Sequence, residues 1–397
     1  MPLEFEILAT DGAARRGRLT TPHGVVETPA FAPVGTQGAV KGLGPLDLES
    51  LGAQLMLSNL YHLALRPGID RLEALGGLHR FAGWERPILT DSGGYQVFSL
   101  ARLRTIDDEG VTFRSHLDGD EVRFTPAWVA RAQARLGVDL AMMLDECPPW
   151  PVSEEEAGEA LDRTLAWAER GRAAWDGEGG FFGIVQGSVF SFLRQRAVDA
   201  LAELEFDGYA IGGVSVGEPP ALRRRVVEET APLLPTDKPR YLMGVGRPED
   251  ILHAVRQGVD LFDCVLPTRN ARHGQLLTAG GVLRIKNARF RDDDRPLDSD
   301  CPCPVCARLS RATLNHLYRI GEITAQVLGT VHNLRVYLDF MQDLRDATSS
   351  GTLARLERRD ARREVGREAA GGSETVPQER PQEAAVSPPS QDPVPRQ

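Results

Sequence analysis

The chain of 397 residues is predicted to fold as a (β/α)8 barrel with an inserted β-hairpin and a C-terminal zinc-binding subdomain. Three observations predict this. Eight short apolar runs recur between residues 30 and 267, amphipathic helical stretches separate several of them, and three cysteines crowd one loop near the C-terminus. Apolar runs of this length suit strands buried on both faces, and strand–helix alternation implies parallel pairing. Eight such units point to a closed barrel instead of an open sheet.

The elements follow in order. FEILATDG and RRGRLTTPHGVVETP read as an antiparallel N-terminal piece capping the barrel bottom. The eight runs are AFAPVGT (30–36), LMLSNLYH (55–62), RPILTDSGG (86–94), VDLAMMLDE (138–146), FFGIVQG (181–187), GYAIGG (208–213), RYLMGVG (240–246) and VDLFDCVLP (259–267). Helices are expected over 154–175 and 190–204. VTFRSHLDGDEVRF (111–124) alternates in polarity around Asp118–Gly119, so it reads as a β-hairpin inserted after the third barrel strand. The barrel and its cap are expected over residues 1–295 and the metal-binding subdomain over 296–345. Residues 346–397 are rich in Arg, Glu, Pro and Ser and read as a disordered tail.

Composition narrows the function. Hydrophobic residues make up 42% and charged residues 26%, as in soluble globular proteins. No apolar run approaches the roughly 20 residues that span a bilayer, and residues 1–10 lack the basic start and apolar core of a signal peptide. A cytoplasmic protein without membrane contact is expected. The net charge of −10 argues mildly against general nucleic-acid affinity. Its distribution matters more: seven basic residues lie between Leu266 and Pro296, facing only Asp292 to Asp294. One basic stripe on an acidic protein is compatible with a defined RNA contact.

In a barrel of this kind, catalytic groups gather at the C-terminal strand ends. The run endings supply Asp91, Asp145, Gln186, Gly212, Gly213, Met243 and Asp263, which would converge on one mouth. In VDLFDCVLPTRNARHGQ (259–275), Asp263 ends an apolar strand, Pro267 blocks further pairing, and Arg269, Arg272 and His273 follow. A carboxylate beside a basic cluster suits an acid working on an anionic substrate. The plainer alternative is an aspartate closing a strand beside a solvated loop.

Cys301, Cys303 and Cys306 share one tight loop, and His332 follows a helical segment expected over 310–328. Three thiolates and an imidazole form a closed tetrahedral set for zinc with no position left for substrate water, so the metal would be structural. His316 is the rival fourth ligand, with His332 preferred. Cys147 and Cys264 lie far away in sequence and are not expected to bind metal.

Many segments then match one family in its own order: DSGGYQVFSL (91–100), MLDEC (143–147), IVQG (184–187), IGGVSVGE (211–218), YLMGVG (241–246), FDCVLPTRNARHGQ (262–275), IKNARFRDD (285–293) and CxCxxC with His332. SNLYHLALRPG (58–68) and HLDGDEVRFTP (116–126) add to them. Over roughly residues 5–345 the chain resembles the bacterial tRNA-guanine transglycosylases. The resemblance implies a homodimeric enzyme of queuosine biosynthesis that binds the tRNA anticodon loop. It would exchange the wobble guanine of G-U-N anticodons for preQ1 (7-aminomethyl-7-deazaguanine). It also settles the fourth zinc ligand as His332.

The resemblance further implies residue roles, and the chemistry agrees with them. Asp263 would capture ribose C1′ as a covalent ester, and Asp91 would act as general acid and base. Asp145, Gln186 and the Gly213 N–H would read the base, with Tyr95 and Met243 on its two faces. Glu218 and the Val214 carbonyl would lie near the aminomethyl group, and Arg247, Arg269 and Arg272 near the anticodon loop. Cys147 and Val216 supply bulk that suits preQ1 over the larger queuine, and Val214 stands where leucine is more usual. Two related types fit less well. A non-catalytic RNA-binding relative would lack one or both aspartates, and the archaeal type carries extra RNA-binding domains that this polar tail cannot supply. A metal-dependent barrel hydrolase would need strand-end histidines, of which His62 is the main candidate.

Overall fold

A computed structural model describes residues 3–100 and 104–356. Strands β1 (Glu4–Asp11), β2 (Ala14–Thr21) and β3 (Gly24–Thr28) form an antiparallel sheet, and β3 runs almost directly into β4 (Ala30–Pro33). The barrel continues with β5 (Met56–Asn59) and β6 (Ile88–Asp91). An inserted sheet follows, of β7 (Arg104–Asp107), β8 (Gly110–Arg114) and β9 (Glu121–Phe124). The barrel resumes with β10 (Leu140–Met142), β11 (Gly180–Val185), β12 (Gly208–Ile211), β13 (Arg240–Leu242) and β14 (Leu261–Cys264), and the hairpin β15 (Gln275–Thr278) and β16 (Gly281–Arg284) comes after it.

The eight parallel strands are ordered β4-β14-β13-β12-β11-β10-β6-β5. A parallel bridge from Val34 to Leu57, with the Gly35 N–H donating to the Leu57 carbonyl at 2.7 Å, joins β4 to β5 and closes the barrel. Each of the eight apolar runs supplies one strand. Almost every strand residue is buried, which is why the runs read as continuous instead of alternating. The helix Glu154–Ala174 starts where Ser153 and Glu156 cap each other's backbone N–H groups, and it packs between the helices Pro126–Leu136 and Ser191–Glu203.

Charge pairs tie the N-terminal sheet to the strand starts. Arg15 on β2 forms an ion pair with Asp260, which precedes β14 and also accepts from the Arg240 N–H at 2.7 Å. Asp139, which precedes β10 and is unexposed, accepts from His23 and His79 at 3.0 Å on separate oxygens. The two imidazoles stack with centroids 3.6 Å apart. Because these contacts sit at the strand starts, the strand ends remain open for chemistry.

Three expectations need correction. The insertion is a three-stranded sheet: the hairpin β8–β9 pairs as expected, with Gly119 in a left-handed conformation in its connection, but β7 adds a third strand. The helix expected over 310–328 is broken. Arg311–Arg319 ends before Gly321, whose φ of +75° turns the chain, and a second helix runs Ile323–Ser349. His332 therefore lies inside this long helix and not beyond a shorter one. The first part of the stretch expected as a tail from 346 is helical, since that helix continues to Ser349, and Leu353 is buried, its N–H donating to Asp11 at 3.0 Å. The rest of the tail, 357–397, lies outside the described residues.

A smaller second core gathers Ala271, Leu276, Ile285, Phe290, Leu297 and Leu314 on both sides of the 295/296 boundary. The long helix packs against this core and against β1, β2 and β4. Among the described residues, no helix is long and apolar enough to cross a membrane.

Candidate active site

The C-terminal ends of the strands carry the carboxylates. Asp91 closes β6 and accepts from the Gly93 N–H at 3.1 Å and from the Asn59 amide at the end of β5. Burial and the neighbouring Asp263 carboxylate push its pKa up to about 8, outweighing those bonds. Asp263 lies on β14. Its Oδ1 accepts from the Tyr241 hydroxyl at 2.6 Å and from the Gly244 N–H at 2.7 Å. Gly244 takes a φ of +69°, a conformation open to glycine, and so aims its N–H at the carboxylate. Burial raises the Asp263 pKa, and the two donors oppose that rise. Both donors use Oδ1, so Oδ2 is the oxygen left to react.

A second group lies between β10, β11 and β12. Asp145 accepts from the Ser92 hydroxyl at 3.2 Å and from the Gln186 amide at 2.7 Å, and burial pushes its pKa up to about 6. Gln186 Oε1 is buried with no hydrogen-bond partner. Cys147 touches the same group, with the Gln186 side chain and the Gly213 N–H donating toward its sulfur, and burial pushes its thiol up to about 12. Gly213 has a φ of +65°, and a Cβ there would overlap Gln186 Oε1, so only glycine fits. The pocket thus offers an acceptor carboxylate, an orphaned amide oxygen and a backbone donor within a few side chains.

The remaining expected residues are placed as follows. Tyr95, on the helix Gly94–Leu100, is 46% exposed, and Met243 is partly exposed at the end of β13. Val214 is buried. Glu218 is turned back on its own loop, accepting from the Ser215 and Val216 N–H groups at 2.7 and 2.9 Å. Arg269 and Arg272 share the helix Leu266–Arg272. Burial and repulsion from Arg269 lower the Arg272 pKa, and its Nη1 is buried without a partner. Arg247 stands apart at the start of the helix Pro248–Arg256, 4.0 Å from Glu249. His62, the candidate of the hydrolase reading, packs edge-on against Tyr61 and His116, and burial lowers its pKa to about 4.

Three contributors went unnoticed in the sequence: Asn59, Tyr241 and Arg194. Asn59 and Tyr241 do sit inside quoted motifs, SNLYH and YLMGVG, but their partners are 32 and 22 residues away and nothing local marks them.

The metal group is compact. His332 Nδ1 lies 3.7, 3.5 and 3.4 Å from the sulfurs of Cys301, Cys303 and Cys306, and the four residues could hold a metal ion. His332 Nε2 donates to the Leu277 carbonyl at 2.5 Å, which leaves Nδ1 as the ligand nitrogen. His23, His79 and Asp139 are also close enough to share an ion, but their 3.0 Å contacts to separate oxygens are those of hydrogen bonds.

The family model described as queuine tRNA-ribosyltransferase matches residues 11–364. The chain belongs to the queuine tRNA-ribosyltransferase family. It is 52% identical over 353 residues to the queuine tRNA-ribosyltransferase of Marinobacter nauticus, covering 89% of this chain and 95% of that protein. Its identity to the protein of the same name from Azotobacter vinelandii is 54% over 353 residues, with the same two coverages. For the Nitrosomonas eutropha protein it is 53% over 350 residues, covering 88% of this chain and 97% of the relative.

Proposed function

We propose that this family member is a tRNA-guanine transglycosylase that exchanges the anticodon wobble guanine for preQ1 through a covalent aspartyl-ribose intermediate. The observation that carries the reading is the pair of unlike carboxylates at the mouth. At neutral pH Asp91, pushed up to about 8, holds a proton, while Asp263 keeps one oxygen pinned by two donors. A carboxyl that holds a proton, beside one with an oxygen left open, can divide the labour of a glycosidic exchange.

In the first step Asp263 Oδ2 bonds to ribose C1′ as the bond from C1′ to guanine breaks, and Asp91 gives its proton to the departing base. In the second, the incoming base loses a proton to Asp91 and attacks C1′, and the Asp263 ester bond breaks. Asp145 accepts from the N–H groups of the base edge, Gln186 and the Gly213 N–H address its C6 oxygen, and Tyr95 and Met243 cover its faces. Glu218 and the Val214 carbonyl serve the aminomethyl group, once Glu218 releases its own loop. Arg269, Arg272 and Arg247 take the anticodon backbone. The orphaned Arg272 Nη1 suits a phosphate.

The metal is proposed to be zinc in a structural role. Tetrahedral zinc with thiolate and imidazole ligands places sulfur and nitrogen about 3.6 Å apart, matching the 3.4–3.7 Å found. When bound, it neutralises the thiolates and locks the Cys loop to the long helix. Cys303→Ser should lose the metal and lower the melting temperature together, as read by metal analysis and calorimetry. The proposal extends to a homodimeric cytoplasmic enzyme.

The deciding experiment incubates the protein with unmodified tRNA bearing a G-U-N anticodon and radiolabelled guanine. Label should enter the tRNA, be competed by preQ1, and fail to enter with Asp263→Ala. Absence of exchange by folded, metal-loaded protein would sink the reading.

A further inference from the structure

Arg194 is an unusual expense for the fold. It lies on the helix Ser191–Glu203, is 1% exposed, and makes no direct ion pair among the described residues, Glu218 and Glu229 acting on it only at longer range. Burial lowers its pKa to about 10, so it is still charged at neutral pH. A buried cation without a direct ion pair is unfavourable unless its donors are used. Here they go to backbone carbonyls: Nε to Ser188 at 2.7 Å, Nη1 to Val185 at 3.3 Å and Nη2 to Gly212 at 2.9 Å. These carbonyls belong to the ends of β11 and β12, the two segments that deliver Gln186 and Gly213.

The Gly212 contact has a directional consequence. Across a planar trans peptide the C=O and the next N–H point to opposite sides. With the Gly212 carbonyl held by the guanidinium, the Gly213 N–H must face away from it, toward Cys147 in the pocket. That orientation is not secured by the chain itself. A Gly-Gly peptide is the freest to rotate, and the φ of +65° at 213 together with crowding by Gln186 disfavours a stiffer residue there. A flipped peptide would present an acceptor to the base where a donor is needed.

We infer that Arg194 is a positioning residue that locks the Gly212–Gly213 peptide so that the Gly213 N–H stays a donor for the C6 oxygen of the base. The inference rests on the proposed role of Gly213 in reading guanine. Arg194 does not itself touch the base. It sets the sign of the hydrogen bond that the pocket offers.

The test compares guanine with 2-aminopurine, which lacks the C6 oxygen, in wild type, Arg194→Lys and Arg194→Met. The N1 position also differs between the two bases, but it faces Asp145 and contributes equally in every variant. In wild type, 2-aminopurine should inhibit exchange far more weakly than guanine binds. In Arg194→Met the KM for guanine should rise about tenfold with the KM for tRNA unchanged, and the ratio between the bases should shrink by a similar factor. Arg194→Lys, which keeps the charge and a donor, should recover part of that ratio. If Arg194→Met shows no melting transition, Arg194→Lys and Arg194→Gln carry the same comparison. A wild-type ratio retained in full by the variants, whether or not both bases weaken together, overturns the inference alone. A wild-type enzyme that exchanges guanine yet treats both bases alike removes the role of Gly213 and the inference with it.

Discussion

Strand β10 begins and ends next to an aspartate, and the two could hardly differ more. Asp139, at its start, is unexposed. Burial works to raise its pKa, but His79, the Ile88 N–H and His23 outweigh burial and hold it below the ordinary value of 3.8. Asp145, past its end, is also buried, but its donors are neutral and burial wins, up to about 6. On β14 the partners differ in the same way, Asp260 at the start meeting Arg15 and Asp263 near the end a hydroxyl and an N–H, but burial outweighs the partners and raises the pKa of both. The bottom of the barrel matches its carboxylates with cationic or imidazole partners and is built for stability. The mouth gives Asp91, Asp145 and Asp263 neutral donors, while Glu146 and Glu218 beside them meet Arg163 and Arg223, so among these buried carboxylates the partner marks the ones built for reactivity.

Substitutions at the two ends should therefore separate along different axes. The largest contrast is on β14. Asp263→Ala should abolish exchange and the covalent RNA adduct while leaving the melting temperature unchanged or raised. Asp260→Ala should strand the Arg15 guanidinium, costing about 3–5 kcal/mol of stability, with normal exchange per folded molecule. An inactive but stable Asp260→Ala protein would erase the distinction. Asp91→Asn comes next, lowering the rate by about 10²–10⁴-fold. Because the Asp91 pKa is raised, its favourable contribution to folding is full below 3.8 and is lost as pH rises through about 8. The gain in melting temperature of Asp91→Asn over wild type should thus grow with pH up to about 8 and then level off, and a pH-independent difference would show that Asp91 is not strained by ionisation.

Tyr241→Phe removes one donor from Asp263 and should cost about 1.5–3 kcal/mol in the barrier, read as kcat/KM with melting little changed. The smallest effect is at the bottom. Asp139→Asn should cost about 1 kcal/mol at neutral pH. The depressed Asp139 pKa makes that contribution complete above 3.8 and lost as the pH falls below it, so the deficit should fade on acidification. A deficit that persists in acid would mean packing, not charge, holds the histidines.

How far the sequence reveals this molecule depends on range. All eight barrel strands are legible because each is a short run buried on both faces, and the carboxylates are legible because they interrupt those runs. Strand β7 is not. Its residues RTID are polar or half-exposed, and it gains strand geometry only by pairing with β8. The helix break was misplaced for a different reason. The expected segment ended at 328, yet the helix runs on through Gly329, where a Cβ would overlap the Tyr318 hydroxyl and glycine permits close packing. The partners Asn59, Tyr241 and Arg194 act across strands, where no local pattern speaks for them.

The 27 residues of the helix Ile323–Ser349 extend about 40 Å. In its first half it supplies His332 to the cysteine cluster, and near its C-terminal end Arg345 donates to the Pro29 carbonyl at the start of β4. A single rigid rod thereby joins the metal loop to the first turn of the barrel. Ion binding in a side compartment would then act as a ligand on global unfolding. Heated with and without a chelator, the chain should show one cooperative transition that shifts as a whole, not a small domain melting ahead of a large one.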